Sequence, residues 1–374
     1  MLAVLLASVL SAQGHEMHMS DSTGWRSSVH GTAFLQYVRT FDTRATYQVG
    51  SVNRVMFESG GPWAGGRVRV RGMGSAEPLT LTDRGAPQPL QIAFTSGGET
   101  ITDHMHPSPW IMELALSYDR KFSEGVAASI YGAAIGEPAL GPPVYVHRSS
   151  AAANPAVPLS HHAQDVTHSS FGVVTIGVYA RRLRLEGSSF NDRQPEEPST
   201  VFFYRGARLD AHAVRITFAA GTAWSLAGSY GYLPAASGGH THEALHRMSL
   251  ALVRNAAPWF ITVAFGANDP VGREPPSRAL LAEGERRWNS EQHVLFARAE
   301  YVQRTAEELS LVGSVNPRQD IEALQVGYSY GRRVRLGGYA TMTRIPPQLE
   351  PFYGSRTPLT VAVFGQFSWA AAVP

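Results

Sequence analysis

The stretch Trp110-Ile111-Met112-Glu113-Leu114-Ala115-Leu116-Ser117-Tyr118 places its large apolar residues at even positions and includes Glu113 and Ser117 among the odd ones. A period of two is that of a β-strand with one apolar and one polar face. The pattern recurs along the chain. Arg67, Arg69 and Arg71 alternate with Val68 and Val70, and Arg182, Arg184 and Glu186 alternate with Leu183 and Leu185. Near the C-terminus Leu359, Val361, Val363, Phe367 and Trp369 share one face, and Thr360, Gln366 and Ser368 the other. Such repetition is what a membrane barrel with a wet interior requires. A soluble β-sandwich also alternates, but its outward face would be expected to carry more charge.

Composition narrows the classes. The 374 residues are 44% apolar and only 17% charged, whereas a typical soluble domain is roughly a quarter charged. Low hydrophobicity with high net charge, the mark of disorder, is absent. No apolar run approaches the ~20 residues of a spanning helix. A net charge of +2 offers no electrostatic case for nucleic acid. Without cysteine the chain has no disulfides, thiolate zinc sites or cysteine nucleophiles, yet it carries 14 histidines. Leu2 to Leu10, followed by Ser11-Ala12-Gln13-Gly14, reads as a secretory signal over residues 1–13. A leader over 14–28 contains His15, Met17, His18 and Met19, a tract that suits soft metals such as Cu(I). A single barrel domain is expected over 29–369, with a tail over 370–374.

Strands are predicted to begin near Gly31, Val49, Arg67, Trp110, Val126, Gly172, Arg182, Arg208, Ala223, Arg247, Trp259, Arg278, His293, Ile321, Arg335 and Leu359. That makes 16, with 14 or 18 as alternatives. Connections after even-numbered strands are short, such as Asp119–Gly125 and Gly331–Val334. Those between them are longer, the longest being Ser75–Pro109 and Gly136–Phe171. Outer-membrane barrels have this rhythm, with an even strand count and long outer loops. The strand at Arg278–Arg286 is the least patterned, but without it the rhythm breaks. Tyr118, Trp224, Trp259, Trp288 and Trp369 fall at strand ends near the short turns, where an interfacial girdle belongs. The fold class is thus all-β, a closed antiparallel transmembrane barrel located in the bacterial outer membrane. A propeller would need a repeat of ~40–45 residues, and none is found.

Parity places nine histidines at the outer end. His104 and His106 lie in the first very long loop, His147, His161, His162 and His168 in the second, and His240, His242 and His246 between the ninth and tenth strands. Imidazole suits copper and zinc. The candidate metal ligands are therefore His104, His106, His147, His161, His162 and His168, with Asp165 or Asp103 as oxygen ligand or supporting partner. Equally, histidines in an inward loop satisfy backbone groups without metal. A hydroxyl-activating pair such as Ser160/His161 or His168-Ser169-Ser170 is a third reading, although no Gly-x-Ser-x-Gly elbow is present. Arg67, Arg69, Arg71, Glu113, Arg182, Arg184, Glu186, Arg298 and Glu300 are expected to line the pore, together with Arg215, Glu283 and Glu285. Opposed rows of charge would set a transverse field for polar or anionic solutes. Alternatively they are ion pairs that brace the wall or anchor an inward loop.

The run Gly136-Glu137-Pro138-Ala139-Leu140-Gly141-Pro142 is followed by His147-Arg148, Asn154-Pro155, Pro158-Leu159, His161-His162, Gln164-Asp165, Thr167-His168 and Phe171-Gly172-Val173. It resembles a family of bacterial outer-membrane β-barrel proteins without an assigned biochemical activity. Ala76-Glu77-Pro78-Leu79-Thr80 and Phe190-Asn191-Asp192-Arg193-Gln194-Pro195-Glu196-Glu197 fit the same family, so the resemblance spans roughly residues 30 to 369. It implies fold and location. The family reads His-Pro-His-Asp near the fourth strand, where this chain has His106-Pro107-Ser108-Pro109 and so two fewer potential ligands. Its members are similar in leader and architecture to the barrels of copper-resistance systems. The function expected is a channel or a solute/metal-ion handling barrel with His-rich loops at its outer mouth. Its partners would be outer-membrane lipid, lipopolysaccharide and small solutes or metal ions. The alternatives are a plugged barrel that modifies lipid as an enzyme, and a purely structural or binding barrel.

Overall fold

Sixteen antiparallel strands close on themselves in sequence order, each paired with its neighbours in the chain and the last with the first. The computed structural model describes residues 24–44, 46–81, 85–92, 94–96, 99–192, 208–234, 244–272, 275–311 and 318–373. The strands are β1 Arg26–Phe41, β2 Tyr47–Trp63, β3 Gly66–Gly74, β4 Ile111–Ser123, β5 Val126–Gly136, β6 Ser170–Ala180, β7 Leu183–Asn191 and β8 Ala211–Ala220. They continue as β9 Trp224–Leu233, β10 Leu245–Ala256, β11 Trp259–Pro270, β12 Ser277–Trp288, β13 His293–Arg304, β14 Gln319–Gly331, β15 Val334–Arg344 and β16 Leu359–Val373. Every strand read from the alternation is present, each starting within five residues of its expected position. Connections after even-numbered strands have two to four residues, and the others five to thirty-six. The proposed signal peptide, His15, Met17, His18, Met19, His240 and His242 lie outside the described residues.

Two boundary expectations and one facing are corrected. β1 starts at Arg26, inside the expected leader. Residues 370–373 are not a tail: they extend β16, with Ala370 opposite His30 and Val373 opposite Ser27. A closed barrel has no free edge, so the last strand runs on to complete the ladder of the first. Met112, expected outward with Leu114 and Leu116, is buried inside against Met56 and Met73. The β3–β4 register shifts between Met73 and Gly74, and the extra residue of such a bulge reverses the parity before it.

Outside, Leu35, Ile176, Leu336 and Val363 are exposed. Side chains of this kind in a continuous outward belt are covered by hydrocarbon rather than water. Trp63, Trp224, Trp259 and Trp288 ring the short-turn end. Arg286 bridges Trp259 and Trp288, its guanidinium carbon 5.3 and 5.6 Å from the two ring centroids. An aromatic ring with a cationic partner suits the membrane interface.

Inside, the barrel is not empty. The segments 75–110 and 137–169, which follow β3 and β5, enter from the outer end and bury most of their described residues against the wall. Outer loops tie the first segment down. Asp103 accepts from Arg44 Nε at 2.7 Å and from the Tyr353 hydroxyl at 2.8 Å, and Thr102 Oγ1 meets Ser310 Oγ at 2.9 Å.

Candidate functional site

The second inner segment is built to lie in a core with only short helical turns, among them His161–Gln164. Pro138, Pro142, Pro143, Pro155 and Pro158 have no backbone N–H to satisfy. Ala151, Ala152 and Ala153 let the backbone approach the wall closely. Its remaining polar groups are met by wall side chains, as burial requires. Glu283 on β12 accepts from Arg148 Nε at 2.7 Å, Arg298 Nε at 2.9 Å and Ser150 Oγ at 3.0 Å. Glu300 on β13 accepts from Ser160 Oγ at 2.8 Å and from the backbone N–H groups of Ser160 and Leu159 at 2.9 and 3.1 Å. Glu285 accepts from the N–H of Ala153 at 2.5 Å.

Cations of the wall meet the carbonyls. Arg298 Nη1 donates to Ala156 at 2.8 Å, Arg287 Nη2 to Ser149 at 3.0 Å and Arg247 Nη2 to His162 at 3.1 Å. On the opposite side Ser188 and Ser229 accept from the N–H groups of Ala139 and Gly141, both at 2.8 Å. The segment is therefore stitched across the whole lumen.

The expected pore-lining residues fall in three places. Arg298 and Glu300 hold the inner segment, as do Glu283 and Glu285. Arg71 bonds Glu113 at 2.7 Å, and Glu113 also accepts from the Tyr131 hydroxyl at 2.8 Å. Glu186 binds both Arg184 and Arg215, the latter at 3.0 Å, while Arg69 Nε lies 3.3 Å from Glu58. Arg67 shares the lumen face of β3 with Arg69 and Arg71. Arg182 does not line the lumen: it is exposed in the two-residue turn before β7, which starts one residue later than expected. Sequence reasoning passes over Arg148, Arg247 and Arg304, although the strand parity of Arg247 and Arg304 would have marked both as inward.

The histidines are brought together in part. His161 Nδ1 is 2.6 Å from Asp165 Oδ1, and Asp165 Oδ2 accepts from Arg148 Nη1 at 2.9 Å and from the Tyr145 N–H at 3.1 Å. His168 Nδ1 donates to the Asp165 carbonyl at 3.0 Å. The His161 ring lies 5.3 Å, centroid to centroid, from each of His162, His168 and Tyr145. His106 Nδ1 is 3.0 Å from the Pro107 carbonyl, His104 Nδ1 is 2.9 Å from the Thr102 carbonyl, and His147 Nδ1 is 3.9 Å from Glu137 Oε2. His246 faces outward on β10, 2.7 Å from the Tyr230 hydroxyl. Among the described residues no three His, Asp or Glu side chains are placed to hold one metal ion.

Electrostatics follow from burial. It pushes His106 down to about 4 and His168 to about 3, and holds His147 well below the ordinary imidazole value. Burial also pushes Glu137 up to about 7, against the pull of Arg215. Burial opposes the charge of Asp165, but His161 and Arg148 outweigh it and hold the carboxyl below its usual range.

One wall position is cut to fit the segment. A Cβ at Gly266 would stand 2.5 Å from the Ala163 carbonyl oxygen, inside any permitted contact. Gly266→Leu is expected to expel the helical turn His161–Gln164 and expose Arg148 to trypsin in the folded, detergent-solubilised protein. Protection equal to wild type would show that the wall yields instead.

No family model and no curated protein matches the chain. Solved structures do. An anion-selective porin from Comamonas acidovorans aligns with a TM-score of 0.55 at 8% identity, over 92% of this chain and 100% of that one. OmpF of Salmonella typhi, in complex with daunomycin, aligns at 0.54 and 10% identity over 92% and 97%. OprB of Pseudomonas putida aligns at 0.54 and 8% identity over 93% and 94%. At these identities the likeness is one of fold. The protein has the architecture of a sixteen-stranded outer-membrane β-barrel, and its apolar outer belt places it in the bacterial outer membrane.

Proposed function

We propose that the protein is a restricted outer-membrane channel that admits small hydrophilic solutes past its two inner segments. The supporting observation is how the second segment is held. Side-chain hydrogen bonds and ion pairs to the wall secure it, and it lies outside the strand ladder, so it can move without breaking the barrel. Sixteen strands enclose room for an aqueous passage when that space is not filled. A protein of similar fold is described as an anion-selective porin, which fits a channel reading.

The test is planar-bilayer conductance of the purified barrel combined with osmotic swelling of proteoliposomes. Low conductance and swelling in urea or glycerol, but not in sucrose, are expected. A silent bilayer with no swelling in any solute would overturn the channel and leave a plugged binding barrel.

A further inference from the structure

A cavity of about 50 Å³ lies within the barrel where the two inner segments meet the wall formed by β13–β16 and β1–β2. Its wall side combines the short side chains of Ala323, Thr341, Thr343 and Thr360 with the longer ones of Gln36, Arg298, Gln325 and Tyr339. Residues 86–89 and 155–157 close the other side. At about 10–15 Å³ per water, the space holds about four water-sized groups.

Two buried polar atoms at this cavity have no hydrogen-bond partner among the described residues. They are Gln36 Oε1, an acceptor, and Arg298 Nη2, a donor, each on a residue only 3% exposed. Buried polar groups are ordinarily paired, so a small molecule able both to donate and to accept completes this site. Charge argues against an ion. Arg298 is already neutralised by Glu283, and Glu300 beside it is satisfied by three donors.

The inner segments are tied unevenly along this wall: Gln325 of β14 accepts from Asn154 at 2.5 Å and Gln366 of β16 donates to the Ala152 carbonyl at 3.1 Å. β12 and β13 grip the second segment through Glu283, Glu285, Arg287, Arg298 and Glu300. Among the described residues no side chain of β15 hydrogen-bonds to either segment, and Tyr339 only packs with Ala153 and Ala156.

We propose that the cavity is the solute path of the channel in its narrow state. Small uncharged polar solutes of the size of urea or glycerol cross between the β14–β16 wall and the inner segments, and Gln36 and Arg298 form the hydrogen-bonding pair they pass. This inference rests on the channel reading above.

The experiment is proteoliposome swelling in urea and in glycerol with the full-length barrel and its Ala323→Leu variant, each checked for heat-modifiable mobility on a detergent gel. Leucine adds three carbons at the wall and fills the gap. Swelling is expected to fall by roughly fivefold or more while mobility is unchanged. Should Ala323→Leu fail to fold, Thr360→Leu on β16, which lines the same cavity, closes the same space. A folded variant that swells at the wild-type rate overturns the path while the channel stands. A wild type that swells in no solute overturns both.

Discussion

Replacing Glu283 and Glu300 by alanine is expected to raise single-channel conductance by about tenfold or more. Glu283 accepts three hydrogen bonds and pairs with Arg298 and, beside Asp165, with Arg148, both buried, and Glu300 accepts three more from Leu159 and Ser160. Removing one partner of a buried pair leaves an uncompensated charge and costs about 3–5 kcal/mol. At Glu300 the loss is of three hydrogen bonds, which leaves the Leu159 and Ser160 donors buried and unpaired, and the uncovered arginines would gain by meeting water. The second inner segment remains joined to β5 and β6 but leaves the lumen. The strand ladder uses none of these bonds, so a heat-modifiable band should persist. Unchanged conductance in a folded variant would show that apolar packing around Leu140 and Leu159 holds the segment instead.

Acid should open the same plug reversibly, with conductance rising as the pH falls from 7.5 towards 4.5. The sign follows from the imidazoles. His106, lowered to about 4, is faced by His161 and the Pro107 carbonyl. His168, lowered to about 3, is faced by His161, Asp165 and His106. His147, also lowered, is faced by Arg71, Arg54, His168 and His30, with Glu137 3.9 Å away. Each is neutral while the second segment is inserted; on its release His147 and His168, and His106 uncovered on the first segment, take a proton near their ordinary value of 6.5. The inserted state is therefore fully favoured above about 6.5 and loses stability as the pH falls towards the lowered values. Glu137 works the other way. Raised to about 7, it favours insertion as the pH falls from 7 to its ordinary 4.5. On the second segment His147 and His168 outnumber Glu137; Glu77 and Asp103, also raised by burial, belong to the first segment with His106. A conductance flat between pH 7.5 and 4.5 would refute this balance.

Strand number and order were legible because each strand has one face in hydrocarbon and one facing inward, and that contrast imprints a period of two. The short–long rhythm of connections then separated the two ends of the barrel. Met112 escaped because a bulge costs one residue and leaves no mark in composition. Arg182 escaped because a residue just outside a strand keeps the strand's parity. The residues 370–373 escaped because their partner is the first strand of the chain, more than 300 positions away.

The interior was legible only in outline. A polar lumen wall reads the same whether its charges face water or a loop, since both demand charged and hydrogen-bonding side chains. Glu283 and Glu300 could thus be assigned to the inner face, but not to Arg148 and Ser160. The histidines had a location without an arrangement: Asp165 lies four residues from His161 and bonds it, whereas His104 bonds within its own turn.

Alternation and loop rhythm, read from the sequence alone, determined a closed outer-membrane barrel with charge sorted inward, because local burial in lipid leaves a local pattern. Whether the lumen is filled, where its narrow seam runs and which charges meet were decided only by the tertiary structure. The contacts that hold the second segment to β12 and β13 join residues more than 130 positions apart, and neither partner alone specifies the other.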